Sequence, residues 1–149
     1  MKPENVSRLI LDNISVQIYL IDHNYRIVDY NCAFANQIKL SKEKIIGEPC
    51  YKLSHNSAIP CYEMKDTICP AKTAFGKHEK CRAIHKHFIN DKVIIEEVVS
   101  TPINNGQYVL EEYRDLSDLI GLGFDPCKVL LQLHQYYNLL LSLLKYPWT

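Results

Sequence analysis

The spacing of apolar and polar residues divides the chain into a helix, a hairpin and a series of short elements. Apolar residues recur at helical spacing over residues 3–13, and Pro3 suits the first turn of such a helix. Residues 16–22 and 25–31 are rich in β-branched and aromatic side chains and are joined by a two-residue link, HN. This pattern predicts an N-terminal lead-in helix followed by a β-hairpin.

The middle of the chain combines short helices with three further strands. Residues 32–40 carry apolar side chains at helical spacing, and residues 41–47 are typical of a capped short helix. After a cysteine-rich stretch, residues 81–89, 93–103 and 107–115 are strand-like and are separated by turn residues. The order predicts an α+β fold with a five-stranded antiparallel sheet and short helices on one face.

The last part of the chain has a different pattern. Residues 125–146 begin with Asp-Pro, are apolar around most of a helix circumference, and predict a C-terminal helix after a short GLGFDP linker. One stripe of this helix follows a heptad spacing: Val129, Leu133, Tyr136, Leu140 and Leu143. We expect the stripe to form the seam of a homodimer. The alternative is that the helix folds back on its own sheet.

The charge balance excludes several classes of partner. The 149 residues include 17 Lys+Arg and 17 Asp+Glu, so the formal net charge is zero. No basic field exists to attract nucleic acid or an anionic membrane. The apolar segment LLSLL is far shorter than the roughly 20 residues of a membrane span, and the N-terminus lacks an apolar run of signal-peptide length. We expect a cytoplasmic protein that binds neither nucleic acid nor membrane.

Residues able to bind metals or undergo redox chemistry are concentrated in residues 50–87. This stretch holds four of the six cysteines and four of the six histidines. In a reducing cytoplasm such clustering indicates a metal or redox site more than a disulfide framework. The alternative is that the cysteines are small buried apolar residues, which we expect of the isolated Cys32 and Cys127.

Three thiols and one strand face predict the metal ligands. Cys50, Cys61 and Cys69 lie in a stretch interrupted by prolines, so the backbone can bend around an ion. In the extended strand that follows, alternate residues share one face. That face offers a fourth ligand, for which we predict His85 first and Cys81 second.

Two further histidines remain open alternatives. His55 is either a ligand or a hydrogen-bonding loop residue, and His87 either orients a ligand or flanks a small-molecule cavity. Thiolate and imidazole together suit zinc, whereas the four cysteines of the stretch could hold an iron–sulfur cluster. Haem is the weaker candidate, because the sequence contains no CxxCH.

The sequence lacks the common catalytic motifs. No P-loop, GxSxG elbow, HExxH or glycine-rich dinucleotide turn is present. The acidic pairs Glu96–Glu97 and Glu111–Glu112 are predicted to lie on a solvated sheet face, because alternation sends one of each pair outward. We expect no enzyme activity; the alternative is a small thiol-dependent enzyme with Cys61 as nucleophile and a nearby histidine.

The order of these segments resembles that of a PAS sensor domain over most of the chain. Residues 11–38 resemble its first two strands, with Asn31 opening the short helices, and residues 42–51 contain an IIG turn. Residues 98–103 and 108–119 resemble its fourth and fifth strands. The resemblance implies the same α+β fold that the spacing of apolar residues predicts.

The cysteine-rich stretch resembles a subgroup of PAS domains found in bacterial and archaeal signalling proteins. The pattern is CYxxSH, then PC, CP and HxH, present here as CYKLSH, PC, CP and HKH. The resemblance places six residues at motif positions: Cys50, His55, Cys61, Cys69, His85 and His87. Cys81 lies outside the pattern.

The resemblance also implies a function. It implies a sensory domain over residues 1–120 with a metal-binding insert at 50–87, followed by a signalling helix at 125–146. Such domains generally precede a histidine kinase, a nucleotide cyclase or a transcription-factor module, so a chain with a single following helix is not expected to carry catalytic output. We expect a sensor of redox state, metal or a small ligand that acts on a downstream signalling protein. The alternative is a dimerisation protein that keeps the PAS scaffold without sensing.

Overall fold

A computed structural model describes residues 3–65 and 67–118, together with Gly123, Lys128 and Gln135. The chain divides into two compact units, Met1–Asp115 and Leu116–Thr149. Apart from those single positions, the helix predicted at 125–146 lies outside the described residues. Within the described ranges, no helix is both long and apolar enough to cross a membrane.

The described elements are four α-helices, two short 3₁₀ turns and five strands. The helices are α1 (Pro3–Asn13), α2 (Cys32–Ile38), α3 (Cys50–Ser54) and α4 (Pro70–Lys77), and the 3₁₀ turns are Lys42–Lys44 and Cys61–Glu63. The strands are β1 (Gln17–Ile21), β2 (Ile27–Tyr30), β3 (Cys81–Ile89), β4 (Lys92–Ile103) and β5 (Tyr108–Asp115). The predicted strand positions are confirmed to within a few residues at each end.

The strands form one antiparallel sheet in the order β2-β1-β5-β4-β3. Because paired residues in an antiparallel sheet share a face, the register fixes which side chains lie together. One row crosses the sheet from Tyr19 through Glu111 and Ser100 to Cys81. The helices α2, α3 and α4 contact this sheet, which confirms the predicted α+β fold. We call the side carrying Tyr19 and Glu111 the inner face.

Local side-chain bonds explain where the short helices begin and end. Asn31 caps α2 by accepting a hydrogen bond from the backbone N–H of Phe34, and Lys39 ends the helix in the left-handed conformation. Pro70 occupies the first turn of α4, where a missing N–H causes no loss. The helix predicted at 41–47 is only a 3₁₀ turn, in which Ser41 makes no side-chain cap.

The β1–β2 link is longer than the two residues predicted. It runs from Asp22 to Arg26, because the Asp22 carboxylate accepts hydrogen bonds from the backbone N–H groups of Asn24 and Arg26. Tyr25 takes the left-handed conformation within this turn, with φ of 59°. The side chain of Tyr25 packs on Tyr62, with ring centroids 5.2 Å apart, so the turn is tied to the Cys61–Glu63 segment.

The core fills the space between the inner face and the helices. Ile21, Ile27, Ile45 and Val109 are fully buried there. Phe34 of α2 packs edge-on against Tyr19, with ring centroids 4.8 Å apart. Cys50, Cys61 and Cys69 belong to the same apolar cluster, so the cysteine-rich segment is part of the core.

Asn31 is expected to be a strong stability determinant of this fold. It is fully buried, accepts hydrogen bonds from the backbone N–H groups of Ile18 and Phe34, and donates to the carbonyls of Ile14 and Val16. Asn31→Ala leaves these backbone groups unpaired and should lower the free energy of unfolding by about 2–4 kcal/mol. Urea denaturation measures the change.

The control for this prediction is the exposed turn residue Asn24, whose side chain makes no hydrogen bond within the described residues. Asn24→Ala should change the free energy of unfolding by less than about 0.5 kcal/mol. Equal losses for the two variants would contradict the role assigned to Asn31.

Candidate functional site

The helical segment between β2 and β3 brings three thiols into the core. Cys50 opens α3, Cys61 opens the second 3₁₀ turn, and Cys69 is the N-cap of α4. All three are buried, with 5%, 5% and 6% of their surface exposed. Their sequence spacing is irregular, but the turns between the short helices direct all three side chains inward.

Strand β3 supplies the histidines from the opposite side. The predicted alternation is confirmed: His85 and His87 are buried, whereas their neighbours Lys86 and Phe88 are exposed. His85 pairs with Glu96 across the β3–β4 ladder. The two imidazoles therefore lie on the inner face, beneath the helical segment.

One small cavity is bordered by both groups of residues. Its lining includes all three thiols and two imidazoles: Cys50, Cys61, Cys69, His55 and His85. The cavity has a volume of about 10 Å³, which accommodates a single water molecule or ion. We call it the thiol cavity. It contains the four predicted ligands, together with the alternate His55.

The second predicted choice for the fourth ligand, Cys81, is not among the residues that line the thiol cavity. Cys81 lies at the beginning of β3 and is partly exposed. Its sulfur lies 3.9 Å from the carbonyl oxygen of Arg82. A four-cysteine cluster site of the kind considered from the sequence would need Cys81 beside the other thiols. Of the five cysteines that the structure describes, Cys50, Cys61 and Cys69 line the cavity. The prediction that Cys32 is a small buried apolar residue was wrong, because Cys32 opens α2 and is exposed. Cys127, for which we expected the same, lies outside the described residues.

Hydrogen bonding distinguishes the thiols from one another. Cys61 and Cys69 are hydrogen-bonded, which raises the pKa of Cys61 and lowers that of Cys69. The Cys69 sulfur also accepts from the backbone N–H of Lys72 at 3.4 Å, as an N-cap does. Burial, with the nearby Glu111, raises the pKa of Cys50 well above its usual value. Of these three thiols, Cys69 is the one whose pKa is lowered.

A second group of ligand-type residues lies beside the thiol cavity. One ligand atom from each of His55, His85 and His87 lies within 4.8 Å of the other two, a spacing at which these residues could hold a metal ion. The ring centroids are 4.5 Å apart for His55 and His87, 5.1 Å for His55 and His85, and 5.3 Å for His85 and His87. We call these three residues the histidine cluster.

The cluster histidines are held in place by bonds to other groups. The Nε2 atom of His85 lies 2.5 Å from the carbonyl of Ile68, and His55 hydrogen-bonds to the backbone of Lys86. Burial and the neighbouring imidazoles lower the pKa of His55 to about 3, and burial lowers the pKa of His85 as well. These two imidazoles are neutral near pH 7, which is the form that binds metals.

Two buried acidic residues of the sheet lie beside the histidine cluster and the thiol cavity. Glu96 lies 2.6 Å from Nδ1 of His87 and accepts a hydrogen bond from Gln17 at 3.2 Å. Glu111 accepts from Ser100 at 2.5 Å and from Tyr113 at 2.6 Å. Within residues 3–65 and 67–118, neither acid forms an ion pair with lysine or arginine.

The prediction of a solvated sheet face was wrong for these two acids. Glu96 and Glu111 are 1% and 3% exposed, whereas Glu97 and Glu112 are only partly buried. Alternation did send one acid of each pair outward, but the inner member of each pair lies beneath the helical segment. Because helices cover one face of the sheet, the inner acid of each pair has to be buried. The alternation along the strands therefore already indicated this burial.

The sequence pattern left two roles open for His55, a metal ligand or a hydrogen-bonding loop residue. The residue ends α3 as its C-cap, and the fold brings its ring against two histidines that lie thirty or more positions later in the chain. No local pattern encodes that contact. His78, by contrast, is exposed at the C-cap of α4 in a left-handed conformation.

A groove leads from the surface to the cluster. It has a volume of about 570 Å³ and lies between Met64 and Ile68 on one side and β3 on the other. His55 and His85 line the groove, whereas fully buried His87 does not. His85 thus borders both the groove and the thiol cavity.

Solved structures of other proteins share this fold. The RNA-binding light-oxygen-voltage receptor is 16% identical, with a TM-score of 0.64 over 79% of this chain and 34% of that chain. The PAS domain of an HTR-like protein from Haloarcula marismortui is 17% identical, with a TM-score of 0.56 over 76% and 99%. A PAS domain from a two-component sensor histidine kinase is 9% identical, with a TM-score of 0.60 over 75% and 95%.

These likenesses confirm that the chain has the fold of PAS and light-oxygen-voltage domains. The chain spans about a third of the length of the RNA-binding receptor. No protein-family model matches the sequence, and no curated protein matches it significantly. The cysteine-rich PAS subgroup and its motif stay a prediction.

Burial predicts the order in which the described cysteines react. In the folded, reduced protein N-ethylmaleimide should modify exposed Cys32 first and partly exposed Cys81 next. Cys50, Cys61 and Cys69 should react at least about 100-fold more slowly, because they must await local opening. Mass spectrometry of timed digests measures the rates.

The Cys32→Ser protein is the control, in which the fastest phase should disappear. All three core thiols should become reactive in denaturant. Rapid modification of Cys61 in the folded protein would contradict this order and would favour the alternative of a thiol-dependent enzyme.

Proposed function

We propose that the chain is a sensory module of the PAS type, working in the reducing cytoplasm, that detects its signal at a Cys/His metal centre. The proposed ligands are Cys50, Cys61, Cys69 and His85. The observation that supports this most directly is the thiol cavity, which these four residues line between the helical segment and β3. The signal that it detects would be a change in redox state, a metal or a small ligand.

The donor set and the size of the cavity fit a single ion. Three sulfurs and an imidazole are the ligands that zinc prefers in tetrahedral sites. A cavity of about 10 Å³ accommodates one atom, and three of the described cysteines line it, which favours zinc over an iron–sulfur cluster. Zinc would join the helical segment to the sheet and would hold thiolates that oxidants can reach on opening.

A buried acid borders the same cavity. Glu111 has the hydroxyl groups of Ser100 and Tyr113 as its described hydrogen-bond partners. Three thiolates with one divalent ion would have a net charge of −1, so these hydroxyl groups, not the ion, would have to stabilise the carboxylate.

The sheet offers a route from the site to the end of the domain. His87 on β3 bonds to Glu96 on β4, and the His87 ring packs on Tyr113 of β5 with centroids 5.2 Å apart. Strand β5 ends at Asp115, ahead of the segment for which the sequence predicts a signalling helix. A change in ligation or thiol oxidation would shift β3, and these contacts would carry the shift to β5.

Removing one thiol tests the metal centre. Protein purified without oxygen should contain one zinc per chain, with no visible absorbance, and its X-ray absorption should show sulfur at about 2.3 Å. Cys61→Ser should lose most of this sulfur-bound zinc, because the site needs all its ligands. Cys32→Ser, at an exposed cysteine, should keep it.

Other outcomes would contradict specific parts of the proposal. Strong visible absorbance with bound iron and sulfide would replace zinc by an iron–sulfur cluster. Absence of any sulfur-bound metal from both wild type and Cys32→Ser would remove the thiol centre. A dimer whose stability ignores both metal removal and oxidants would favour the non-sensing scaffold.

We further propose that the module works as a homodimer through residues 125–146 and passes its state to a downstream signalling protein. The support is the heptad stripe of the sequence, in which Leu140 is a central member. Leu140→Asp should raise the dimer dissociation constant by about 100-fold or more, since it places a charge in an apolar seam. Sedimentation equilibrium measures this constant.

The matched control adds the same charge outside the stripe. Gln135 is exposed, and Gln135→Asp should leave the dissociation constant within about threefold of wild type. Equal effects of the two substitutions, or a monomeric wild type, would contradict the dimer.

A further inference from the structure

We propose that His55, His85 and His87 form a second metal-binding site, for a borderline divalent ion such as Zn²⁺, with a fourth position open to the groove along β3. This inference goes beyond the thiol centre, because none of its ligands is a cysteine. It would stand if the thiols bound nothing.

The spacing of the cluster suits three ligands of one ion. One ligand atom from each histidine lies within 4.8 Å of the others. Zn–N bonds of about 2.0–2.1 Å in a tetrahedral site place two nitrogens about 3.3 Å apart. Binding of an ion would therefore draw the three rings closer together.

The hydrogen bonds leave a free lone pair on each ring. His85 uses Nε2 for the carbonyl of Ile68, His87 uses Nδ1 for Glu96, and His55 bonds to the backbone of Lys86. A neutral imidazole donates through one nitrogen and accepts through the other. Each ring therefore donates to an acceptor outside the cluster and keeps its other nitrogen for an ion, as metal-binding histidines do.

His87 provides the clearest sign of a missing partner. Its side chain is 0% exposed, and its Nε2 atom has no hydrogen-bond partner within the described part of the chain. A buried polar atom without a partner is destabilising and is rare in folded proteins. An ion held by the cluster would satisfy Nε2.

Glu96 gives the site its charge and orientation. It is 1% exposed, and its described partners are His87 and Gln17, with no lysine or arginine among them in residues 3–65 and 67–118. A carboxylate that accepts the second N–H of a metal-bound histidine fixes the ring and makes it a better ligand. Glu96 is thus a positioning residue for His87.

The groove explains the open position. Three protein ligands with a fourth position left for solvent are typical of reactive rather than structural zinc sites. His55 and His85 line the groove, so an ion between them and His87 is accessible from that side. Water or another small Lewis base would occupy the fourth position.

The two sites share one proposed ligand, His85, and His55 of the histidine cluster also lines the thiol cavity. His85 borders both the thiol cavity and the groove, so an ion at the histidine cluster competes with the thiol centre for this imidazole. The histidine site is therefore tested in protein whose thiols cannot hold the metal. Cys61→Ser/Cys69→Ser serves as this thiol-deficient variant.

Zinc titration of the thiol-deficient variant should show one bound ion per chain, with an X-ray absorption shell of nitrogen or oxygen at about 2.0–2.1 Å and no sulfur. Adding His87→Gln should weaken zinc binding by more than about 100-fold. Adding Glu96→Gln, which keeps the shape of the side chain, should weaken it by about 10–100-fold. Adding His78→Asn, at an exposed histidine whose left-handed backbone asparagine tolerates, should change nothing.

Circular dichroism confirms the fold of each variant. If the double thiol substitution unfolds the protein, Cys61→Ser alone is measured in the same way, because its hydroxyl keeps the hydrogen bond to Cys69. Failure of the folded thiol-deficient protein to bind zinc, or binding that ignores His87→Gln, would overturn the histidine site and leave the thiol centre standing. An X-ray absorption shell without sulfur around the zinc of the wild-type protein would overturn the thiol centre and leave the histidine site standing.

Discussion

The arrangement of this domain depends on pairing polar side chains that the sheet places in the core. The inner face carries imidazole, carboxyl and phenol groups under a helical segment that excludes water, so each group must find a partner within the protein. Glu111 finds Ser100 and Tyr113, and Tyr113 in turn contacts the hydroxyl of Tyr19. His87 finds Glu96 at one nitrogen only. The proposed histidine site rests on this incomplete pairing.

In the proposed site, the cysteines would have a related double role. Cys50, Cys61 and Cys69 are counted among the buried apolar residues that hold the short helices to the sheet. The same burial that stabilises them as small apolar groups suppresses the ionisation of Cys50, so ion binding would have to displace its proton. Core packing and the proposed ligand role thus make opposite demands on the same atoms.

The local sequence pattern predicted the features that depend only on the alternation of residues along a strand and on turn residues. Strand alternation placed His85 and His87 on one face, and turn residues set the strand bounds. It could not predict that His55 meets them, because that contact depends on how α3 crosses the strand. The same limit applies to Cys81, which shares the face of His85 but lies at the far end of β3, away from the thiol cavity.

The position of β3 at the end of the strand order has a mechanical consequence. Within the described residues this strand is hydrogen-bonded along one side only, to β4, whereas β1, β5 and β4 each have two neighbours. Displacing it disturbs a single ladder, so its free energy of local opening can be well below that of the whole domain. The histidines are carried by an edge strand, which can open without unfolding of the rest of the sheet, while the contacts of His87 with Glu96 and Tyr113 connect it to β4 and β5.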